Sequence, residues 1–262
     1  MAQDDAHIYC TPEQLPVELE SFIAMTREVY AAFGFGTDRI AVTLQTRPEK
    51  FLGSPERWEA AEASLRHALE RTGFPVTVLP GEGAFYGPKI GFDFKDVLER
   101  TWTLSTIQID CAMPERFGLA YVTPAGDEAV PAMLHRAVLG SLERFIAILL
   151  EHTGGKLPPW LSPVQVRVLP VSEKAAAYAA RVAEACHAAG LRAEADLRSE
   201  KLGYKVREAQ LEKVSVIAVV GEREAAAGTV APRGEGAAGA AVSLETFVTE
   251  TVATVRVPGG AS

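Results

Sequence analysis

The stretch HRAVLGSLERFIAILLEH, residues 135–152, carries the strongest periodic signal in the chain. Val138, Leu142, Phe145 and Leu149 recur at helical spacing, Leu139 and Ile146 lie beside them, and Gly154-Gly155 follows as a stop. The spacing predicts one helix over 136–152. Its opposite stripe, Ala137, Gly140, Ser141, Arg144 and Ala147, is small except for one guanidinium. A solvated face ordinarily carries several charges, so this face suggests close packing, or a cavity with a cation in it. Arg144 would suit a phosphate there, because its planar fork donates two parallel hydrogen bonds. An ordinary surface arginine is the plain alternative.

Downstream, KLPPWLSP (156–163) places three prolines within six residues. Such a run forbids a continuous helix and favours an extended, protease-accessible linker. It divides a unit at 1–160 from one at 163–262. The second unit alternates: strand 165–170, helix 173–189, strand 192–196, helix 202–212, buried strand 215–220 and helix 244–255. That order implies an α/β domain with a mainly parallel sheet covered on both faces. The Gly- and Ala-rich stretch 225–241 reads as a hairpin or loop. Upstream, helices are expected over 16–33 and 55–72, the latter ended by Gly73 and Pro75. Strands are expected over 40–44, 76–79, 89–94 and 102–110, the last two joined by a polar turn.

Composition narrows the class. Hydrophobic residues make up 48% of the 262, enough for a packed core. The longest apolar run lies near 145–150, far too short to span a bilayer. The opening MAQDDAHIYC has neither a basic nor an apolar leader region. Cys10, Cys111 and Cys186 are scattered and odd in number, which argues against a disulfide framework and for a reducing, cytoplasmic setting. Net charge is −8, and from Val164 onward twelve basic side chains balance twelve acidic ones, so the excess is all upstream. No domain has the basic excess of a dedicated DNA binder. Any nucleic-acid contact must use a local patch.

Candidate chemistry is sparse on local grounds. The loop GEGAFYGPK (81–89) has three glycines, which permit positive φ and close backbone approach to a ligand, but it is neither a Walker A loop nor GxGxxG. His7 and His135 are far apart in the chain and nothing in their spacing indicates a metal. Asp4, Asp5 and Glu82 read as solvated carboxylates. The residues alone reach a two-domain α/β protein with one candidate anion-binding arginine, and no reaction.

Longer strings say more. QDDAHIYCTPEQ (3–14), TRPEKFLGSPERWEAAE (46–62), GEGAFYGPKIGFDFKD (81–96), TIQIDCAMPERFGLAYV (106–122), HRAVLGSLERFIAILLEH (135–152) and LGYKVREAQLEK (202–213) occur in one order. Together they resemble the C-terminal part of the threonyl-tRNA synthetase family, over essentially the whole chain. The resemblance implies an α+β arrangement: an antiparallel class II catalytic sheet, incomplete here, then an α/β anticodon-binding domain. It implies ATP with Mg2+, threonine and tRNA(Thr) as ligands and partners. HRAVLGSLERF looks like motif 3, and Arg144 matches the arginine that contacts ATP phosphates. Asp5 matches the reader of the threonine hydroxyl. Gln3, Tyr86, Lys89 and Gln108 match positions around the amino acid and the adenylate, and Thr106 falls at the ATP site. His7 and His135 match two of three zinc ligands, a site that excludes valine by engaging the threonine hydroxyl. Glu200, Lys201, Lys205 and Arg207 match the region that meets the anticodon stem-loop.

The chain also departs from the pattern. It opens inside motif 2, so motif 1 with its dimer contacts, the cysteine zinc ligand and an ATP-binding arginine lie outside it. Thr103 stands where a glutamine helps hold ATP, within WTLST (102–106) in place of WQCGT. Gly91 and Asp93 depart from PKIDFHIKD. The basic run expected after Val230 is reduced to Pro232-Arg233-Gly-Glu. The expectation is a truncated or split synthetase, weakly active or inactive alone, completed by a separate N-terminal part or by a second copy. Two alternatives stay open: a paralogue activating an amino acid for a non-tRNA acceptor, and a non-catalytic tRNA-binding or regulatory module.

Overall fold

Apolar and polar residues alternate along the central strands of the first unit, and the sheet follows from that. In β4 (Lys89–Lys95), Ile90, Phe92 and Phe94 are buried, while Lys89 and Asp93 on the other face are only partly so. The computed structural model describes residues 1–233 and 239–258, in two units, Met1–His152 and Thr153–Ser262.

The first unit runs β1 (Ala6–Cys10), α1 (Leu15–Ala32), β2 (Ile40–Gln45), α2 (Pro55–Glu70), β3 (Val76–Leu79), β4, β5 (Thr101–Ile109), α3 (Met113–Arg116), β6 (Tyr121–Val122), β7 (Glu128–Ala129), β8 (Ala132–Ala137) and α4 (Leu142–Thr153). Six strands form one sheet in the order β1-β8-β5-β4-β2-β3, antiparallel except between β2 and β3. One face is apolar: Leu44, Ile90, Phe92, Ile107 and Leu134 are fully buried, as are Phe22 of α1, whose ring meets that of Phe92 with centroids 6.3 Å apart, Trp58 and Leu65 of α2 and Leu149 of α4. Each such side chain stabilises the unit by roughly 1.5–3 kcal/mol. α2 starts where the sequence says, because Ser54 accepts from the Arg57 amide at 3.3 Å and Pro55 presets the first turn.

The helix expected over 136–152 is two elements. Residues 132–137 form β8, and the helix begins only at Leu142. Gly140 between them has φ +67, which a helix cannot contain. Val138 and Leu139 satisfy the helical period and an apolar strand end equally well, so periodicity misleads there. Ala137, Gly140 and Ser141 therefore share no helical face with Arg144.

The second unit runs β9 (Val166–Pro170), α5 (Ala176–Ala188), β10 (Ala193–Ala195), α6 (Leu202–Leu211), β11 (Val216–Val220), α7 (Glu222–Ala227), β12 (Thr229–Arg233), β13 (Val242–Ser243) and α8 (Leu244–Thr254). The order is β10-β9-β11-β12-β13, parallel across the first three and antiparallel beyond. α5 and α8 pack Tyr178, Val182, Cys186 and Phe247 onto Val166 and Val168, and α6 packs Val206 and Ala209 onto Leu169 and Ile217 on the other face. The stretch 225–241 holds the end of α7, β12 and the approach to β13. Its residues 234–238, with the Gly-Glu that ends the reduced basic run, lie outside the described residues.

The Pro-rich segment is not an extended linker. Leu161 and Ser162 donate to the Pro158 carbonyl in a tight turn. The Arg192 guanidinium donates to the carbonyls of Trp160 and Ser162, and Gln165 to that of Pro159. The segment is docked on the second unit. Cys10, Cys111 and Cys186 are buried and free, and among the described residues no helix is long and apolar enough to cross a membrane.

Candidate functional site

The other face of the first sheet is polar, and strand register puts its side chains in a row. His7 pairs with His135, His135 with Gln108, Gln108 with Lys89 and Lys89 with Gln45, across β1, β8, β5, β4 and β2. Directly opposed residues share a face, so two imidazoles, two amides and an ammonium line up along one band. The imidazole rings meet edge to face with centroids 4.6 Å apart. Thr106 and Gly91 form the next pair on the same face.

The loop before β4 brings Tyr86 to this band, its ring 5.5 Å from that of His135. The loop is laced to the end of β5: Cys111 donates to the Tyr86 carbonyl, Ile109 to that of Pro88, and the Gln108 side chain to that of Gly87 at 2.8 Å. A β-carbon on Gly87 would stand 1.8 Å from the Ile109 carbonyl oxygen. The close approach that the glycine permits is to the chain's own backbone. Burial raises the Tyr86 phenol above its usual range, and the charges of Asp110 and Asp5 add to that.

Asp110 fixes His135. Its Oδ2 lies 2.7 Å from His135 Nε2, and its Oδ1 accepts from the amides of Ala112 and Met113. Burial alone would push this carboxyl up, but the bonds from His135, Met113 and Ala112 outweigh it and hold the group below the usual range. Sequence reasoning gives Asp110 no role; yet alternation from Gln108 places it on the same face.

A carboxylate holding the far nitrogen of a ligating histidine is the usual support of a zinc site. With Nε2 so held, Nδ1 of His135 is left to ligate, and His7 offers a second imidazole. The pair thus fits half of a tetrahedral site, and catalytic zinc generally uses three protein ligands. Among the described residues, no group of three His, Cys, Asp or Glu gathers to hold a metal.

Arg144 stands exposed in the first turn of α4, its guanidinium 5.5 Å from the centroid of Trp102. Arg100 lies 5.4 Å from the same ring. The indole donates to Asp96, a fully buried carboxylate that also accepts from Arg100 Nε and the amides of Leu98 and Arg100. Burial would raise Asp96, and the bonds from Trp102 and Arg100 reverse that, holding it far below the carboxylate range. Gln3 bridges to Ser141 through its backbone, and Asp5 is exposed just before β1. Asp4 is not the solvated carboxylate expected: it accepts three backbone amides of the β8–α4 junction. The departures Asp93 and Thr103 are cross-strand partners whose side chains hydrogen-bond to each other. A β-carbon on Gly91 would lie 2.8 Å from Thr43 Oγ1 and 3.7 Å from Thr103 Cγ2.

In the second unit, Glu200 and Lys201 precede α6, and with Arg198 and Lys205 they line a cavity of about 270 Å³ at the ends of β9 and β10. Arg198 pairs with Asp196 and Glu208 and so stiffens this loop. Lys205 is buried and donates to the Asp196 carbonyl at 2.9 Å, so it supports the loop from within. Arg207 is exposed on α6.

Comparison with known proteins agrees with this layout. The profile of the tRNA synthetase class II core domain (G, H, P, S and T) matches residues 1–153, and that of the anticodon binding domain matches 165–251. The threonine–tRNA ligase of Acetivibrio thermocellus is 49% identical over 256 residues, 97% of this chain and 40% of that protein. That of Halorhodospira halophila is 51% identical over 231 residues, 88% of this chain and 36% of that protein. A crystal structure of the RNA binding domain of threonyl-tRNA synthetase from Cryptosporidium parvum superposes with a TM-score of 0.89 at 39% identity, covering 96% of this chain and 63% of that one. The chain thus spans about 40% of the length of the curated relatives it matches.

Proposed function

The chain belongs to the tRNA synthetase class II core family (G, H, P, S and T), with an anticodon-binding domain behind the core, and on that premise we propose that it builds the amino-acid-activating face and the tRNA-binding unit of a threonine–tRNA ligase. The core is assigned to 1–160 and the tRNA-binding domain to 163–262, in a cytoplasmic setting. The observation that carries the reading is the single polar band of His7, His135, Gln108 and Lys89, with Tyr86 and Asp110 against it.

In the proposed reaction a threonine carboxylate oxygen attacks the α-phosphorus of ATP. The bond to the bridging oxygen breaks, pyrophosphate leaves with the electron pair, and threonyl-adenylate remains. A ribose hydroxyl of tRNA then attacks the acyl carbon and AMP leaves. Asp5 accepts a hydrogen bond from the threonine hydroxyl. Gln3, Tyr86 and Gln108 line the amino acid and the adenylate. Lys89 and Arg144 offset charge on the carboxylate and the phosphates, and Thr106 sits beside the nucleotide. Fixed cations of this kind act without reorganising as charge develops. Mg2+ accompanying ATP supplies further positive charge there. Zinc, when bound, supplies an anchor for the amino group and hydroxyl, with His7 and His135 holding it and Asp110 orienting His135. A polar pocket of this kind rejects valine, which leaves its groups unpaired. Glu200, Lys201 and Arg207 face the RNA, and Lys205 acts through the loop it supports.

Calorimetric titration with a non-hydrolysable threonyl-adenylate analogue, beside its valyl and seryl counterparts, tests the assignment. Tighter binding of the threonyl compound is expected. Equal binding of all three, or none of any, would remove the basis for a threonine site.

A further inference from the structure

Three consecutive backbone amides, those of Val138, Leu139 and Gly140, converge on one carboxylate 134 to 136 positions away. Asp4 Oδ2 accepts from Val138 at 2.8 Å, and Oδ1 accepts from Leu139 and Gly140 at 3.0 Å each. Successive amides turned to one side form a natural anion cradle, and Gly140 makes it possible. Its φ is +67, and a β-carbon there would meet the Leu104 carbonyl oxygen at 2.8 Å. The cradle is thus occupied by the protein's own anion. The Val138 carbonyl is held from the other side, by the hydroxyls of Tyr30 and Ser105.

The neighbours of Asp4 extend the clamp. Leu142 donates to the Ala2 carbonyl at 3.0 Å, the Ala2 amide donates to Glu143 at 2.9 Å, and Gln3 bridges to Ser141. Arg144 directly follows Glu143 in the chain, and Asp5 directly follows Asp4. We propose that Asp4 is a positioning residue: by gripping the β8–α4 junction it holds the strand that reads the amino acid and the helix that carries Arg144 as one unit. The proposal rests on the functional assignment of Asp5 and Arg144 above, while the grip itself does not. No other described residue offers a carboxylate to these amides. The hydrogen bonds are charge-assisted, so losing them has a local effect larger than that of a neutral contact.

The test compares Asp4→Ala and Asp4→Asn with the unaltered full chain by amide hydrogen exchange. In Asp4→Ala, exchange at Val138, Leu139 and Gly140 should rise by about tenfold or more, the measure of one lost bond to a charged group. Exchange in β2 and β4 should stay unchanged, and Asp4→Asn should fall between. Added acetate should restore protection to Asp4→Ala, since a free carboxylate can enter the vacated cradle, and a general loss of stability would not respond to it. Unchanged exchange at the three amides, an even rise across β2 and β4, or indifference to acetate would each overturn the proposal. Mg-ATP binding to Asp4→Ala, Arg144→Ala and the double variant adds the functional arm. Non-additive losses support the link to Arg144, and additive losses refute it. An unaltered chain that binds no Mg-ATP counts against the proposed function, and the exchange result then decides the grip alone.

Discussion

His7 and His135 are direct cross-strand partners at the edge of a six-stranded sheet, with ring centroids 4.6 Å apart. Asp110 secures one of the two from behind. Zinc should therefore bind this chain weakly, through the pair, and His7→Ala or His135→Ala should abolish retention. Asp110→Asn should weaken zinc by about 10–100-fold, the usual effect of removing a carboxylate that orients a ligating histidine. Zinc titration with a competing chelator reads all three. Wild-type affinity in Asp110→Asn would show that Asp110 does not prepare the site.

Asp96 predicts an acid response. Its folded-state pKa lies below its unfolded value, because the bonds from Trp102 and Arg100 outweigh burial. The contribution is therefore complete above the normal carboxylate range, about pH 4, and falls away as pH drops further, where the unfolded state takes up the proton first. Denaturant midpoints below pH 4 should drop more steeply in the unaltered protein than in Asp96→Asn. Parallel slopes would mean that the buried carboxylate is not the titrating group.

Gly87→Ala tests the lacing of the Tyr86 loop. The new methyl would overlap the Ile109 carbonyl, and the backbone must shift to admit it. A loss of about 1–3 kcal/mol is expected, as for other overpacked sites. It would be read as a lower urea midpoint at unchanged slope. An unchanged midpoint would show that the loop is free to move away from β5.

Limited proteolysis should cut at 153–156 and spare 157–162. The latter is tied down by Arg192 and Gln165, whereas Gly154 and Lys156 are exposed. Cleavage within 157–162 at native conditions would contradict the docking of the Pro-rich turn.

Much of the fold is legible in the sequence where one physical signal dominates. The Gly73 and Pro75 stop marks the end of α2, and the Ile90, Phe92, Phe94 alternation marks β4 with its buried and open faces. The reading fails where two periods compete, as at Val138-Leu139, where only the positive φ of Gly140 decides. β1 is exposed or half-buried up to Cys10, so no apolar face marks it, and in the Ala-rich stretch after Val220 propensity does not distinguish α7 and β12 from a loop. The band of His7, His135 and Gln108 is invisible to spacing, since it arises from pairing across distant strands; the family resemblance supplies it. Asp4 is missed for the same reason, because its partners are backbone amides that no sequence pattern marks.

Activation of threonine by this face is read without intermediaries by pyrophosphate exchange. The chain would replace the matching stretch of the Acetivibrio thermocellus ligase to which it is 49% identical, and exchange of labelled pyrophosphate into ATP would be followed across amino acids. A threonine-activating face should give exchange that depends on threonine over valine and serine, and that falls by about 10²–10³ in Arg144→Ala. A folded chimera that exchanges best with another amino acid, or one indifferent to the loss of Arg144, would contradict it.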